Sequence, residues 1–152
     1  MKALIIYDTN FGNTQKIANS LAAGMNEAGY EVDVVYVEDI QLEKITEYNL
    51  LAIGGPTHGF GISKPIRKLI KRFSQVDLRD KNAFAFDTKS KGRIWGSAAK
   101  GIEKKLKNMG MSIIKPSASG IVLGLKGPLQ EGTEATFRQI GAEITNISAE
   151  EA

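Results

Sequence analysis

The chain has 152 residues, 42% of them hydrophobic and 24% charged, which is the size and composition of one globular domain and leaves no compositional case for disorder. It contains no Cys, so disulfides, thiolate nucleophiles, iron–sulfur clusters and cysteine-based zinc sites are excluded, and any redox chemistry must come from a bound cofactor. Twenty Lys and Arg against 17 Asp and Glu leave a mild excess of +3 without the dense, aromatic-interleaved basic face of a nucleic-acid binder; no stretch suits a signal peptide or a membrane span, so a cytoplasmic location is expected.

Residues 1–7 carry the aliphatic and β-branched run of a buried strand, and residues 13–28 then place Ile17, Leu21, Met25 and Ala28 at helical spacing, with Gly29 as the stop. Residues 31–37 alternate as a second strand, 41–46 suit a short helix, and 50–54 form a third, buried strand. After a Gly-rich loop, residues 64–73 are predicted as a helix with Ile66, Leu69, Ile70 and Phe73 inward. Residues 82–87 give a fourth strand and 96–109 a helix on Ile102, Leu106 and Met109. The runs 111–114 and 120–123, separated by Lys115-Pro116-Ser117, read as one interrupted edge strand. A last helix is expected over 131–146 through Phe137, Ile140 and Ile144, with a frayed tail from Ser148. Strands alternating with helices in this way predict one α/β domain over residues 1–152, a doubly wound five-stranded parallel sheet in three layers.

Such a sheet binds ligands beyond the carboxyl ends of its strands, which singles out the loops 8–14, 55–63 and 88–95. In the first, Thr9, Asn10, Phe11, Gly12, Asn13 and Thr14 lead straight into a helix, whose unpaired amides and partial positive charge suit a phosphate. The hydroxyls of Thr9 and Thr14 and the Asn13 amide would complete a cradle, unless Thr9 or Asn13 merely caps the helix. The loop lacks the Lys of a Walker loop and the three-glycine spacing of a dinucleotide fingerprint, so a monophosphate fits better than ATP, GTP or NAD.

The run Ala3-Leu4-Ile5-Ile6-Tyr7, followed by Thr9-x-x-Gly12-Asn13-Thr14 and later by Gly54-Gly55-Pro56-Thr57, resembles the two FMN loops of flavodoxins, and the resemblance spans nearly the whole chain. It implies strand order 2-1-3-4-5, one non-covalent FMN, and an electron carrier between redox partner proteins, with no part for nucleic acid or a membrane. On that resemblance the phosphate lies on Thr9, Asn10, Phe11, Gly12, Asn13 and Thr14. The ring would then lie between Pro56, Thr57, His58, Gly59, Phe60 and Gly61 on one side and Thr88, Lys89, Lys91, Gly92, Arg93 and Trp95 on the other. Gly59 and Gly61 let the backbone approach a planar ligand. His58, the only histidine, either flanks the ring or is an exposed polar residue, and Trp95 either covers the ring or packs the following helix.

Three departures from the family pattern bear on tuning. Phe11 stands where flavodoxins usually have Thr, Pro56-Thr57-His58 where many have Ser-Thr-Trp, and Lys89-Ser90-Lys91-Gly92-Arg93 where they keep acidic residues and a stacking Tyr. The cations would favour the negative charge that full reduction places on the ring. No general base, nucleophile or metal triad is visible. Asp8 and Asp87 pair at strand ends as in a phosphoacceptor receiver domain, but Gly54 and Gly55 occupy the position its phosphorylated Asp requires, and the Cys of a low-molecular-weight tyrosine phosphatase is missing. The alternatives to an electron carrier are an FMN-dependent oxidoreductase acting on NAD(P)H or a quinone, and a flavin-free interaction module.

Overall fold

Strands as uniformly aliphatic as residues 3–7 and 50–53 have no polar face to give to water and must be covered on both sides. In a computed structural model, which describes residues 1–59, 61–92 and 96–151, they form the middle of a parallel sheet. β1 (Lys2–Tyr7) lies between β2 (Glu31–Tyr36) and β3 (Leu50–His58), with Ala3 opposite both Val32 and Leu50. β5 (Asn82–Ser90) pairs with the far side of β3. The outer position is shared: β6 (Ser112–Ile113) pairs with Asn82 and Ala83, and β7 (Ala118–Val122) with residues 86–90 of β5. Counted as one, these two pieces give the expected order 2-1-3-4-5, and the interruption falls where Pro116 has no N–H to offer a ladder.

Two helices cover each face. α1 (Asn13–Glu27) and α4 (Thr133–Glu151) bury Ile17, Leu21, Phe137 and Ile144 against Ile5, Phe84 and Phe86. α2 (Lys64–Arg72) and α3 (Ala98–Asn108) bury Ile66, Leu69, Ile102 and Leu106 against Ile53 and Ala85. α1 and α4 meet backbone to backbone, because a Cβ on Gly24 would overlap the Arg138 carbonyl and one on Gly141 the Leu21 carbonyl. Charge divides between the layers. α2 and α3 hold nine Lys and Arg against the single Glu103, whereas α1 and α4 hold five Glu against Lys16 and Arg138. Among the described residues no helix is long and apolar enough to cross a membrane.

Three local expectations are corrected. The short helix after β2 is a pair of 3-10 turns, Val37–Asp39 and Leu42–Glu47. The segment 55–63 is not an open loop: β3 runs on to His58, with Gly55 and Pro56 still registered against Asp87 and Thr88, and turns at Gly59, whose φ of 52° suits glycine, into the antiparallel β4 (Gly61–Ile62). The tail is not frayed, since α4 continues to Glu151 and the buried Ser148 hydroxyl accepts from the Tyr30 hydroxyl at 3.1 Å and from the Asn82 amide at 2.8 Å.

Tyr48 fastens the second 3-10 turn to the sheet edge by donating its hydroxyl to Asp33 Oδ2 at 2.6 Å. Burial, and then the Asp33 carboxylate, push its pKa up from 10.0 to about 12. A raised folded-state value means that the contribution to stability holds below pH 10 and is lost as the pH climbs through about 12. An ultraviolet phenolate titration is expected to show a step near pH 12 that is missing in Tyr48→Phe. A step that survives the substitution assigns it to another tyrosine.

Candidate cofactor site

β1 passes into α1 through a buried Asp8, whose amide donates to the Gly54 carbonyl at 3.0 Å. Gly12, at φ 89°, makes the left-handed step that starts the helix, and its amide donates to Thr9 Oγ1 at 2.9 Å. The Thr9 oxygen is thereby used as an acceptor while its proton remains to be given. Among the described residues no side chain caps α1, and no acidic residue stands in its first turn, so beyond the Gly12 amide its first amides and the positive end of its dipole have no partner there. The side chains of Asn13 and Thr14 are nonetheless buried. Thr14 Oγ1 lies 3.0 Å from Thr88 Oγ1, a buried hydroxyl pair joining the helix start to β5, and Asn13 gives one amide hydrogen to the Lys126 carbonyl at 3.1 Å.

α3 begins at the same edge of the sheet and is treated in the opposite way. Its Ala98 amide donates to Thr57 Oγ1 at 3.1 Å, its Ala99 amide to Asp87 Oδ2 at 3.0 Å, and its Lys100 amide to Ser97 Oγ at 3.3 Å. The same Asp87 oxygen also accepts the hydroxyls of Thr57 at 3.0 Å and Ser97 at 2.8 Å, and Oδ1 has no partner among the described residues. One helix start is closed by a buried carboxylate and the other is left open among hydroxyls. Only the second suits an anion.

The open start leads into a cleft of about 200 Å³ lined by Thr9, Asn10, Phe11, Asn13 and Thr14, by Pro56, Thr57 and His58 of β3, and by Thr88 and Lys89 of β5. Asn10 and His58 close one side of its mouth, with the Asn10 amide nitrogen 2.6 Å from His58 Nε2. Ser90, within the 88–95 loop, and Val122, Gly124 and Leu125, outside all three expected loops, complete the lining. The last three belong to the carboxyl end of β7 and the loop after it, which the strand-end rule would also have selected. Gly12, Gly59 and Gly61 shape the backbone outside the lining, as do Lys91 and Gly92 in the turn after β5, while Phe60, Arg93 and Trp95 lie outside the described residues. Among the described residues the lining holds no carboxylate, and its one formal charge is Lys89. Neutral donors converging on an uncapped helix start fit a phosphate monoester, and a slot between two strand ends fits a planar group attached to it.

Comparison with known proteins bears on the family and the fold. The flavodoxin family model matches residues 5–140. A probable flavodoxin 2 of Bacillus subtilis is 29% identical over 121 residues, covering 76% of this chain and 79% of that protein. The uncharacterized protein MJ0732 of Methanocaldococcus jannaschii is 28% identical over 118 residues, 74% of this chain but only 29% of that longer protein. Among solved structures, a flavodoxin from the domain Archaea superposes with a TM-score of 0.87 at 21% identity, over 98% of this chain and 99% of that one. The rubredoxin oxygen:oxidoreductase of Desulfovibrio gigas reaches 0.84 at 18% identity, over 99% of this chain and 37% of that one.

Proposed function

This chain belongs to the flavodoxin family, whose cofactor is FMN, and we propose that it holds one FMN in the cleft and carries electrons between redox proteins. The observation that carries this reading is the start of α1, without a side-chain cap among the described residues, facing a cleft whose described lining holds no carboxylate. The phosphate is assigned to that start, with Thr9, Asn10, Asn13 and Thr14 around it, and the ring to the slot between Pro56, Thr57 and His58 and the Thr88–Lys89 end of β5. FMN, when bound, takes up and releases one or two electrons. The chain's own residues bind and orient. The Thr14–Thr88 pair fixes the phosphate end to the ring end, Asn10 and His58 restrict water at the mouth, and Lys89 favours negative charge beside it.

Titration of the protein with FMN should give a yellow one-to-one complex, with riboflavin bound more weakly. A charge-assisted hydrogen bond contributes ~1.5–3 kcal/mol, so Thr14→Ala is expected to weaken FMN on the order of tenfold or more and to leave riboflavin nearly unchanged. Equal affinity for the two ligands removes the phosphate assignment, and no uptake of either removes the carrier. Consumption of NADPH with a quinone, with no separate reductase present, would mark an oxidoreductase instead.

A further inference from the structure

α2 reads Lys64-Pro65-Ile66-Arg67-Lys68-Leu69-Ile70-Lys71-Arg72. Burial of Ile66, Leu69 and Ile70 accounts for the apolar positions, but any polar residue would serve on the outer face, and all five outward polar positions are cations. Folding explains part of that choice, since Lys71 and Arg72 suit the negative end of the dipole, but not the rest. Lys64 and Lys68, Arg67 and Lys71, and Lys68 and Arg72 are like charges four residues apart, which destabilise a helix, and Lys64 stands at the positive end of the dipole. α3 repeats the pattern, with no acidic residue in its first turn and Lys100 and Lys104 exposed beyond it. None of the α2 and α3 cations is in an ion pair among the described residues, whose ion pairs are Arg79–Asp77, Lys115–Glu143 and Arg138–Glu27. Glu38, on the neighbouring 3-10 turn, lines a groove with Lys64, Lys68 and Arg72, while Glu103 accepts the Ser117 amide.

This charge is also placed at the cleft. α2 begins directly after β4, and Gly101 of α3 packs against the Ile62 side chain of β4, so the first turns of both helices flank the hairpin whose other strand lines the cleft. We propose that the α2–α3 face, continuous with the cleft through β4, is the docking surface for an acidic one-electron carrier protein. The proposal rests on the carrier reading above. A protein fits better than a nucleic acid or a membrane. Phe11 and Leu125, exposed at 52% and 86%, line the cleft and give a contact made there an apolar centre, as in protein–protein interfaces. The apolar stripe of α2 is in the core and has nothing to insert into lipid.

The test uses the FMN-loaded protein, with loading read from its visible absorption, and calorimetric titration with a plant-type two-iron ferredoxin as the acidic probe and cytochrome c as the basic one. Ferredoxin is expected to bind at low salt and to lose on the order of tenfold or more in affinity between about 20 and about 300 mM salt, with cytochrome c not binding. The triple variant Lys64→Glu, Lys68→Glu, Lys100→Glu should keep the flavin spectrum and weaken ferredoxin by at least a further order of magnitude, and the corresponding Gln triple by less. Tighter binding of cytochrome c, or an unchanged ferredoxin affinity in a variant that retains FMN, overturns the proposal. So does tighter binding of a single-stranded DNA oligomer or of phosphatidylserine vesicles than of ferredoxin at about 150 mM salt. A wild-type protein that takes up no FMN overturns the carrier reading, and the docking assignment with it.

Discussion

Asp87→Ala is expected to lower the stability of the protein by ~3–5 kcal/mol and to weaken FMN as well, measured by urea unfolding and by flavin titration. Asp87 is fully buried, and one of its oxygens is the common acceptor for the Thr57 hydroxyl, the Ser97 hydroxyl and the Ala99 amide. Truncation leaves these three donors buried at ~1–3 kcal/mol each, partly offset by relaxation and entering water. It also frees Thr57, which holds the hairpin strand to the start of α3 and lines the cleft. Asp87→Asn keeps the shape and can still present a carbonyl to the three donors, with its amide nitrogen where Oδ1 had no partner, so it loses the charge alone and should fall between wild type and Ala. A loss below ~1 kcal/mol in the Ala variant would show that the carboxylate is not the knot that joins β3, β5 and α3.

The second large effect is expected on the far face. Gly24→Ala or Gly141→Ala should each destabilise by roughly 2–4 kcal/mol, although Ala is the better helix former by ~1 kcal/mol. The added methyl meets the backbone of the partner helix, Arg138 for Gly24 and Leu21 for Gly141, and neither can swing aside as a side chain would. Separation of α1 and α4 then loosens Leu21, Met25, Phe137 and Ile144 together. Gly101→Ala is the internal control. Its methyl meets only the end of the Ile62 side chain, at 3.2 Å, so the net change should stay within about 1 kcal/mol. Chemical denaturation of the three variants decides the matter, and a Gly24→Ala protein as stable as wild type would mean that the helices do not pack this closely.

Much of the architecture is legible in the sequence because it is written in local periodicity. The 3.6-residue stripe of Ile17, Leu21 and Met25 and the aliphatic runs of β1 and β3 need no distant partner to be recognised. What the sequence concealed depends on contacts far along the chain. Ser148 looks like the start of a polar tail until Tyr30 and Asn82 are found against its hydroxyl. Asp87 looks like half of an acidic pair with Asp8, and only the fold reveals it as the acceptor that closes α3. The loop over residues 9–14 that lines the cleft is readable because a strand, a glycine and a helix start are consecutive. The wall formed by Val122, Gly124 and Leu125 obeys the same strand-end rule, but the break at Lys115-Pro116-Ser117 hid which end of the edge strand reaches the cleft.

The split outer strand has a consequence for the molecule in a crowded solution. An unbroken edge would offer a second copy a long row of free amides and carbonyls, a template for sheet-to-sheet growth. Here β6 offers two residues and β7 five, with Lys115 and Pro116 between them, a charge and a missing donor where a template would need continuity. The loop after β7 then folds back on that strand, its Gln130 amide donating to the Ile121 carbonyl at 2.8 Å and Leu129 bridging to Val122. The segment that walls the cleft therefore also occupies one of the two margins, opposite β2, along which amyloid-like stacking would begin.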